Sequence, residues 1–389
     1  MLLVGAGLAV LLLQALVAAY FTGWTAMGVQ ASGTRLARME ASEYWQDGHF
    51  VDVLPRVDPA FFAAARAWMS GGSPHSVPAA TPPVVHRVAA DFAEPPAGGL
   101  RITWLGHSTL LVEIDGRRVL IDPVWGKRAS PFNWLGPERF FPPPLDFDDL
   151  PPLDAVVISH DHYDHLDFPT IRRLAASDVP FIVPLGVGAH LEHWGVPAGR
   201  ITELEWWQEQ TIGDLRLVAT PARHFSGRSV LMRDRDCTLW AGWALLGPRH
   251  RIYYSGDTAM FPGFTDIGER LGPFDVTMIE SGAYNAMWAD VHLGPEQAVQ
   301  AHTMVRGGLM IPVHWGLFDL ALHSWTEPIE RVLVAARQQG VAVATPLPGG
   351  SVVPGAVPMP AHWWPSTPWQ TAAEAPVVSS HLSTVPAAP

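Results

Sequence analysis

The sequence contains one cysteine, Cys237, and one lysine, Lys127. A lone cysteine excludes any disulfide within the chain and any zinc site built from several thiolates. Cys237 reads as a small buried side chain on a strand. A single lysine leaves almost no room for Schiff-base or Ser-Lys chemistry. Charge is scarce too: Asp, Glu, Lys and Arg make up 16% of the chain, the formal net charge is −12, and the basic residues do not cluster. Nucleic acid is therefore not an expected partner, because phosphate contacts need a positive surface.

No charged residue precedes Arg35, and Met1 to Trp24 form one apolar run. As a helix, about 22 residues span roughly 33 Å, enough for a hydrocarbon core of about 30 Å. Tyr20 and Trp24 stand where interfacial aromatics belong. The segment reads as a retained single-span anchor or as a cleaved signal peptide. The anchor is favoured because a basic leading region is missing. The expected localisation is thus the membrane, with a secreted or periplasmic domain if the segment is removed. The membrane side and the oligomeric state are left open.

What the chain has is apolar bulk, 48% of 389 residues, enough for one large catalytic domain with flanking extensions. Residues 25–98 read as an extended connector, rich in Pro, Gly and Ala in its second half. From Leu100 the text becomes β-rich. Strands are predicted at 101–105, 109–114 and 117–121, the last two joined by a turn at Asp115-Gly116. Further strands are predicted at 154–158, 180–184, 214–220, 229–233, 237–246, 250–255, 274–279, 308–313 and 341–345. Helices are predicted at 168–176, 187–194, 295–306 and 326–339. This alternation implies an α/β domain over 99–350, with two sheets and helices outside them. The Pro/Ala-rich tail, 351–389, reads as a loosely packed strap with Trp363 and Trp364 as anchors.

The chemistry concentrates in His160-Asp161-His162-Tyr163-Asp164-His165, directly after the strand at 154–158. Imidazole nitrogens and carboxylates are ligands suited to Zn²⁺ and its neighbours. Two histidines alone would fit a surface loop. Four ligand-type residues in six positions at a strand end do not, since a chance match is on the order of 10⁻³. His224, Asp257 and His314 each follow a predicted strand as well, so loops at one sheet edge can carry them to a common point.

That order, HxHxDH followed by His, Asp and His, resembles the metallo-β-lactamase superfamily. Trp104-Leu105-Gly106-His107-Ser108-Thr109, Ile121-Asp122-Pro123, Ser255-Gly256-Asp257-Thr258, Gly282-Ala283-Tyr284 and His314-Trp315-Gly316 are similar to the branch that holds N-acylphosphatidylethanolamine-hydrolysing phospholipase D and its bacterial relatives. The resemblance implies a four-layer αββα sandwich behind an N-terminal hydrophobic helix. It implies that His160, His162 and His224 hold one divalent ion, that Asp164, His165 and His314 hold a second, and that Asp257 bridges them. Zinc is the expected metal, with Mn²⁺ or Fe²⁺ as alternatives. His162 stands where di-iron oxygen-reducing members carry a carboxylate, which favours hydrolysis. Glu280 stands where the phospholipase branch tends to have a proline within an apolar run.

The function so implied is a membrane-associated phosphodiesterase acting on a lipid and releasing phosphatidic acid. Asp257 and Asp164 would hold the ions that activate water. Tyr284 is a candidate donor to the leaving oxygen. His292 and His323 are candidate substrate contacts. His107 and Asp122 could orient ligands. Trp206 and Trp207 are adjacent, so only one can face the core. The alternatives are a lactonase or other ester hydrolase with a soluble small substrate, and a non-catalytic membrane protein with a structural metal.

Overall fold

The computed structural model describes residues 14, 17, 23–57, 63, 66–67, 71–355 and 362–382. A short helix α1 (Gly33–Glu40) and a hairpin of β1 (Trp45–Gln46) and β2 (His49–Phe50) precede the main domain. One seven-stranded sheet holds β3 (Leu100–Gly106), β4 (Thr109–Ile114), β5 (Arg117–Ile121), β6 (Ala155–Val157), β7 (Phe181–Pro184) and β8 (Ile201–Leu204), with β16 (Ser351–Val352) beside β3. The other holds β9 (Glu209–Ile212), β10 (Leu215–Thr220), β11 (Gly242–Leu246), β12 (Arg251–Tyr254), β13 (Phe274–Glu280), β14 (Gly307–Val313) and β15 (Ala342–Val343) in sequence order. Each sheet starts with three antiparallel pairings and continues with three parallel ones.

Alternation along the strands builds the layers, because successive side chains point to opposite faces. Val119 and Ile121 of β5 enter the core between the sheets, with Leu217, Trp243, Tyr254 and Met278 of the other sheet. Leu120 points the other way, onto Ile171 of α2 (Phe168–Leu174) and Leu191 of α3 (Val187–His193). On the far side, Tyr253 and Met310 meet α4 (Gly263–Leu271), α5 (Pro295–Met304) and α6 (Glu327–Gln339) through Ile267, Val299 and Val332. The result is an α/β fold of two sheets with helices on both outer faces. β3, β5, β6, β10, β12, β13 and β14 all run the same way within their sheets, so their C-terminal ends lie at one edge of each. Trp243 donates from Nε1 to the Ile158 carbonyl at 3.0 Å, and Ala241 donates to the Ser159 carbonyl at 2.9 Å. These bonds tie the two edges together beside the HxHxDH loop.

Several expectations are corrected. The expected strand 229–233 is a turn, because the Asp234 carboxylate accepts the N–H groups of Arg228 and Ser229 and bends the chain locally. The strand expected at 237–246 is confined to Gly242–Leu246, so Cys237 lies half-buried in a loop and not on a strand. The connector is partly folded: Phe50 and Phe92 are buried, and Arg35 pairs with Glu203 at 2.7 Å. Trp206 faces the core and donates to the Trp240 carbonyl, while Trp207 packs under the Arg270 guanidinium.

The membrane localisation is also corrected. No helix among the described residues is long and apolar enough to cross a membrane. The expected span and hydrophobic helix at 1–24 fall almost wholly outside the described residues. Where the chain becomes described, it is docked on the domain. The Thr25 carbonyl accepts Trp194 Nε1 at 2.7 Å, the Ala26 carbonyl accepts the Arg228 guanidinium, and Val29 donates to His190 Nδ1 at 3.1 Å.

Candidate metal centre

The HxHxDH loop leaves β6 at the shared edge and doubles back, with His165 and Leu166 both donating to the His162 carbonyl. This turn sends His160 and His162 one way and Asp164 and His165 the other. The loops after β10, β12 and β14 add His224, Asp257 and His314. Three groups of ligand atoms result, each with all its atoms within 4.8 Å of one another. One is His160, His162, His224 and Asp257; another is His107, Asp164, His165 and His314; the third is Asp257, Glu280, His292 and His314. Asp257 lies between the first two: its Oδ2 is 3.7 Å from His160 Nε2, 3.8 Å from His224 Nε2 and 3.0 Å from His314 Nε2, and its Oδ1 is 3.2 Å from His165 Nε2.

The far side of each ring fixes its orientation. His165 Nδ1 donates to Asp122 Oδ2 at 2.7 Å, and His224 Nδ1 donates to the Val291 carbonyl at 2.7 Å. Ser159 Oγ gives its proton to Asp122 at 2.5 Å, so it accepts from His160 Nδ1 at 2.9 Å. With Nδ1 engaged in this way, each of the three rings turns its Nε2 toward the centre. Asp122 is the hub, accepting the Ser159 N–H at 2.7 Å and the Tyr254 hydroxyl at 2.6 Å as well. His107, Asp122 and His314 adopt left-handed backbone conformations, with φ of 53°, 40° and 64°. Each costs a non-glycine residue on the order of 1 kcal/mol. The cost is held by cross-links such as His314 N–H to the His107 carbonyl at 3.1 Å.

A family model described as a beta-lactamase superfamily domain matches residues 117–315. An uncharacterized protein of Mycobacterium tuberculosis is 48% identical over 352 residues, 87% of this chain and 91% of that protein. The chain belongs to the metallo-β-lactamase superfamily. A relative in that superfamily, N-acyl-phosphatidylethanolamine-hydrolyzing phospholipase D 1 of Caenorhabditis elegans, is 37% identical over 269 residues, 65% of this chain and 75% of the relative. Among solved structures, a metallo hydrolase of Ignicoccus hospitalis has a TM-score of 0.50 at 22% identity, covering 65% of this chain and 97% of its own. That likeness concerns the fold alone.

As expected of a metal-dependent hydrolase of this superfamily, the donor set fits a divalent cation. His165 Nε2 and Asp257 Oδ1 are buried without a hydrogen-bond partner, facing each other. Burial and the nearby His165 charge hold His160 well below the ordinary imidazole range. Burial does the same to His224, against the pull of Asp257. Burial opposes charge on His165 and His314 too, but Asp257 and Asp164 outweigh it. His165 is pushed well up and His314 up to about 10. Asp257 and Asp164, which burial alone would raise, are held well below the carboxylate range by His165 and its neighbours. The two carboxylates thus demand positive charge between His165 and His314, which is what a bound cation provides.

A cavity of about 270 Å³ opens onto the centre, lined by His162, Asp164, Asp257, His292 and His314, with Phe225, Trp288 and Leu320 as apolar wall. Two of the expected site residues, Tyr284 and His323, do not line this cavity. Tyr284 is buried, its hydroxyl donates to Glu327 Oε1 at 2.8 Å, and its ring stacks on His323 at 4.4 Å. His323 donates from Nδ1 to the Ser324 carbonyl and lines a separate small cavity with His107 and His314. His292 does face the site, its Nδ1 4.0 Å from Asp257 Oδ2. His107, read from sequence only as an orienting residue, brings Nε2 to 2.9 Å from Asp164 Oδ2 and joins the second group. Glu280, read only as a departure from the family pattern, lies inside the site. Its signal in the sequence was an acid at the end of an apolar strand.

Proposed function

We propose that this chain is a two-metal phosphodiesterase of phospholipase D type, hydrolysing a lipid phosphodiester to phosphatidic acid and a free head group. The observation that carries this reading is Asp257, whose carboxylate lies within 4 Å of His160 and His224 in one ligand group and of His165 and His314 in the other. Such sharing is what a pair of ions requires, whereas a structural site needs one. The similarity to the nematode phospholipase supports the choice of substrate.

His160, His162 and His224 would hold one ion, Asp164, His165 and His314 the other, and Asp257 both. Zinc suits this mixture of imidazole and carboxylate donors. Divalent ions in such a pair supply Lewis acidity and a water made acidic enough to act as nucleophile near neutral pH. The chain's own residues do the rest. Asp122, Ser159 and the Val291 carbonyl hold three imidazoles with their Nε2 atoms turned inward. Phe225, Trp288 and Leu320 offer an apolar wall to the substrate and keep bulk water off that side. His292 stands on the cavity wall where it can hydrogen-bond an N–H or O–H of the head group.

A substrate panel tests the reading. The zinc-loaded protein is assayed on N-acylphosphatidylethanolamine, phosphatidylcholine, bis-p-nitrophenyl phosphate and simple lactones, each with and without detergent. Phosphodiester lipids should be turned over fastest, with phosphatidic acid as product. Turnover of lactones well above every phosphodiester would instead establish an ester hydrolase for soluble substrates.

A further inference from the structure

Glu280 is the last residue of β13 and is fully buried. Its Oε1 accepts two backbone N–H groups, from Thr258 at 2.7 Å and from Leu293 at 3.1 Å. Its Oε2 accepts His292 Nδ1 at 2.8 Å and lies 3.8 Å from His314 Nδ1. The Glu280 N–H in turn donates to Ser255 Oγ at 3.0 Å. Thr258 follows the shared ligand Asp257, and Leu293 follows His292 on the cavity wall. One carboxylate thus staples the metal-bearing loop after β12 to the loop that carries the substrate-facing histidine. A proline, which the phospholipase branch tends to have here, could accept none of these side-chain bonds.

We propose that Glu280 is a positioning residue that sets the orientation and tautomer of His292. A carboxylate can only accept, so a neutral His292 must carry its proton on Nδ1 and leave Nε2 as the unprotonated nitrogen. The cavity wall then presents a hydrogen-bond acceptor, complementary to an N–H or O–H on the substrate's head group. Glu280 lies within ligand distance of Asp257, His292 and His314, and the hydrogen bonds it accepts assign it to holding His292 rather than an ion. Its oxygens are occupied by three donors, and its separation of 3.8 Å from His314 is to the ring nitrogen opposite the one that faces Asp257. The effect on turnover rests on the hydrolytic reading above, but the tautomer and the metal content do not.

The experiment combines three measurements on the zinc-loaded full chain. Long-range ¹H–¹⁵N NMR, with the His292 signals assigned by their loss in His292→Asn, should show the Nδ1–H tautomer in the native protein. Finding the Nε2–H tautomer there overturns the proposal without any variant. Glu280→Gln keeps an amide oxygen for the two backbone donors but turns an N–H toward His292, so the ring should switch tautomer. Zinc per chain, by mass spectrometry, should match the native value. Turnover should fall roughly 10–100-fold, and adding Glu280→Gln to His292→Asn should cost less than about twofold more, because it acts through that ring. An unchanged tautomer, a stoichiometric loss of zinc, or losses that multiply in the double variant would each overturn it. A native protein inactive on every phosphodiester would refute the hydrolytic reading and leave the tautomer to decide this one.

Discussion

Asp122 accepts from the Ser159 N–H and hydroxyl, His165 and Tyr254, and contacts no substrate-facing surface, being fully buried. Its influence runs through ring orientation. Asp122→Asn replaces one accepting oxygen with a donor, so His165 Nδ1 can no longer give its proton there. Zinc affinity, measured by chelator competition, should fall roughly 10–100-fold with the fold retained. An unchanged affinity would show that His165 is oriented by packing alone. A second single-residue effect concerns acid stability. His302 packs inside α5 against the Thr277 hydroxyl at 2.7 Å, and burial lowers its pKa to about 4. Because the folded value lies below that of the unfolded chain, about 6.5, His302 favours folding above that pH. This contribution is lost as pH falls toward about 4. At pH 5 the difference amounts to about 2 kcal/mol. Urea melts at pH 7 and pH 5 should therefore show a smaller acid loss for His302→Asn than for the native chain. Equal losses would place the proton uptake elsewhere.

At the scale of elements, the tail packs on the domain through a tryptophan. Its Pro/Ala content reads as a loose strap, but Trp364 is buried, sits edge-on to Trp315 at 5.5 Å and donates to Glu330 Oε1 at 2.9 Å. Trp364→Ala should destabilise the protein by about 3 kcal/mol in urea titration, without changing zinc content. Stability within about 0.5 kcal/mol of native would mean that the strap is dispensable. The strands at 109–114 and 117–121 were legible because two short runs rich in apolar residues flank an Asp-Gly turn. β8 and β9 were not: Ile201–Leu204 and Glu209–Ile212 carry polar residues and draw on neighbouring strands for pairing. Helix α4 was missed because Gly263 and Gly268 weaken its local signal, although Gly268 lets its backbone approach Val305. In the site, the HxHxDH spacing was legible because one short loop carries four ligand types. The Glu280 staple was not, since its partners Thr258, Leu293 and His292 come from loops that only the folded sheet brings together.

At the scale of the molecule, two sheets of like pairing order meet at one edge, and both terminal extensions reach that neighbourhood. Arg223, beside His224, donates to the Pro55 and Ser380 carbonyls, and Asp290 accepts from Val57 and Ser380. Connector and strap therefore brace the loops that carry His224 and His292, and the centre is a property of the whole chain. The most direct test of a shared metal pair is zinc stoichiometry by mass spectrometry on the native chain and on Asp257→Ala, alongside phosphodiester turnover. Native protein should hold about two ions per chain, and the variant at most one, with turnover abolished. A variant that keeps two ions and full turnover, or a fully active native protein that holds no metal, would contradict the account.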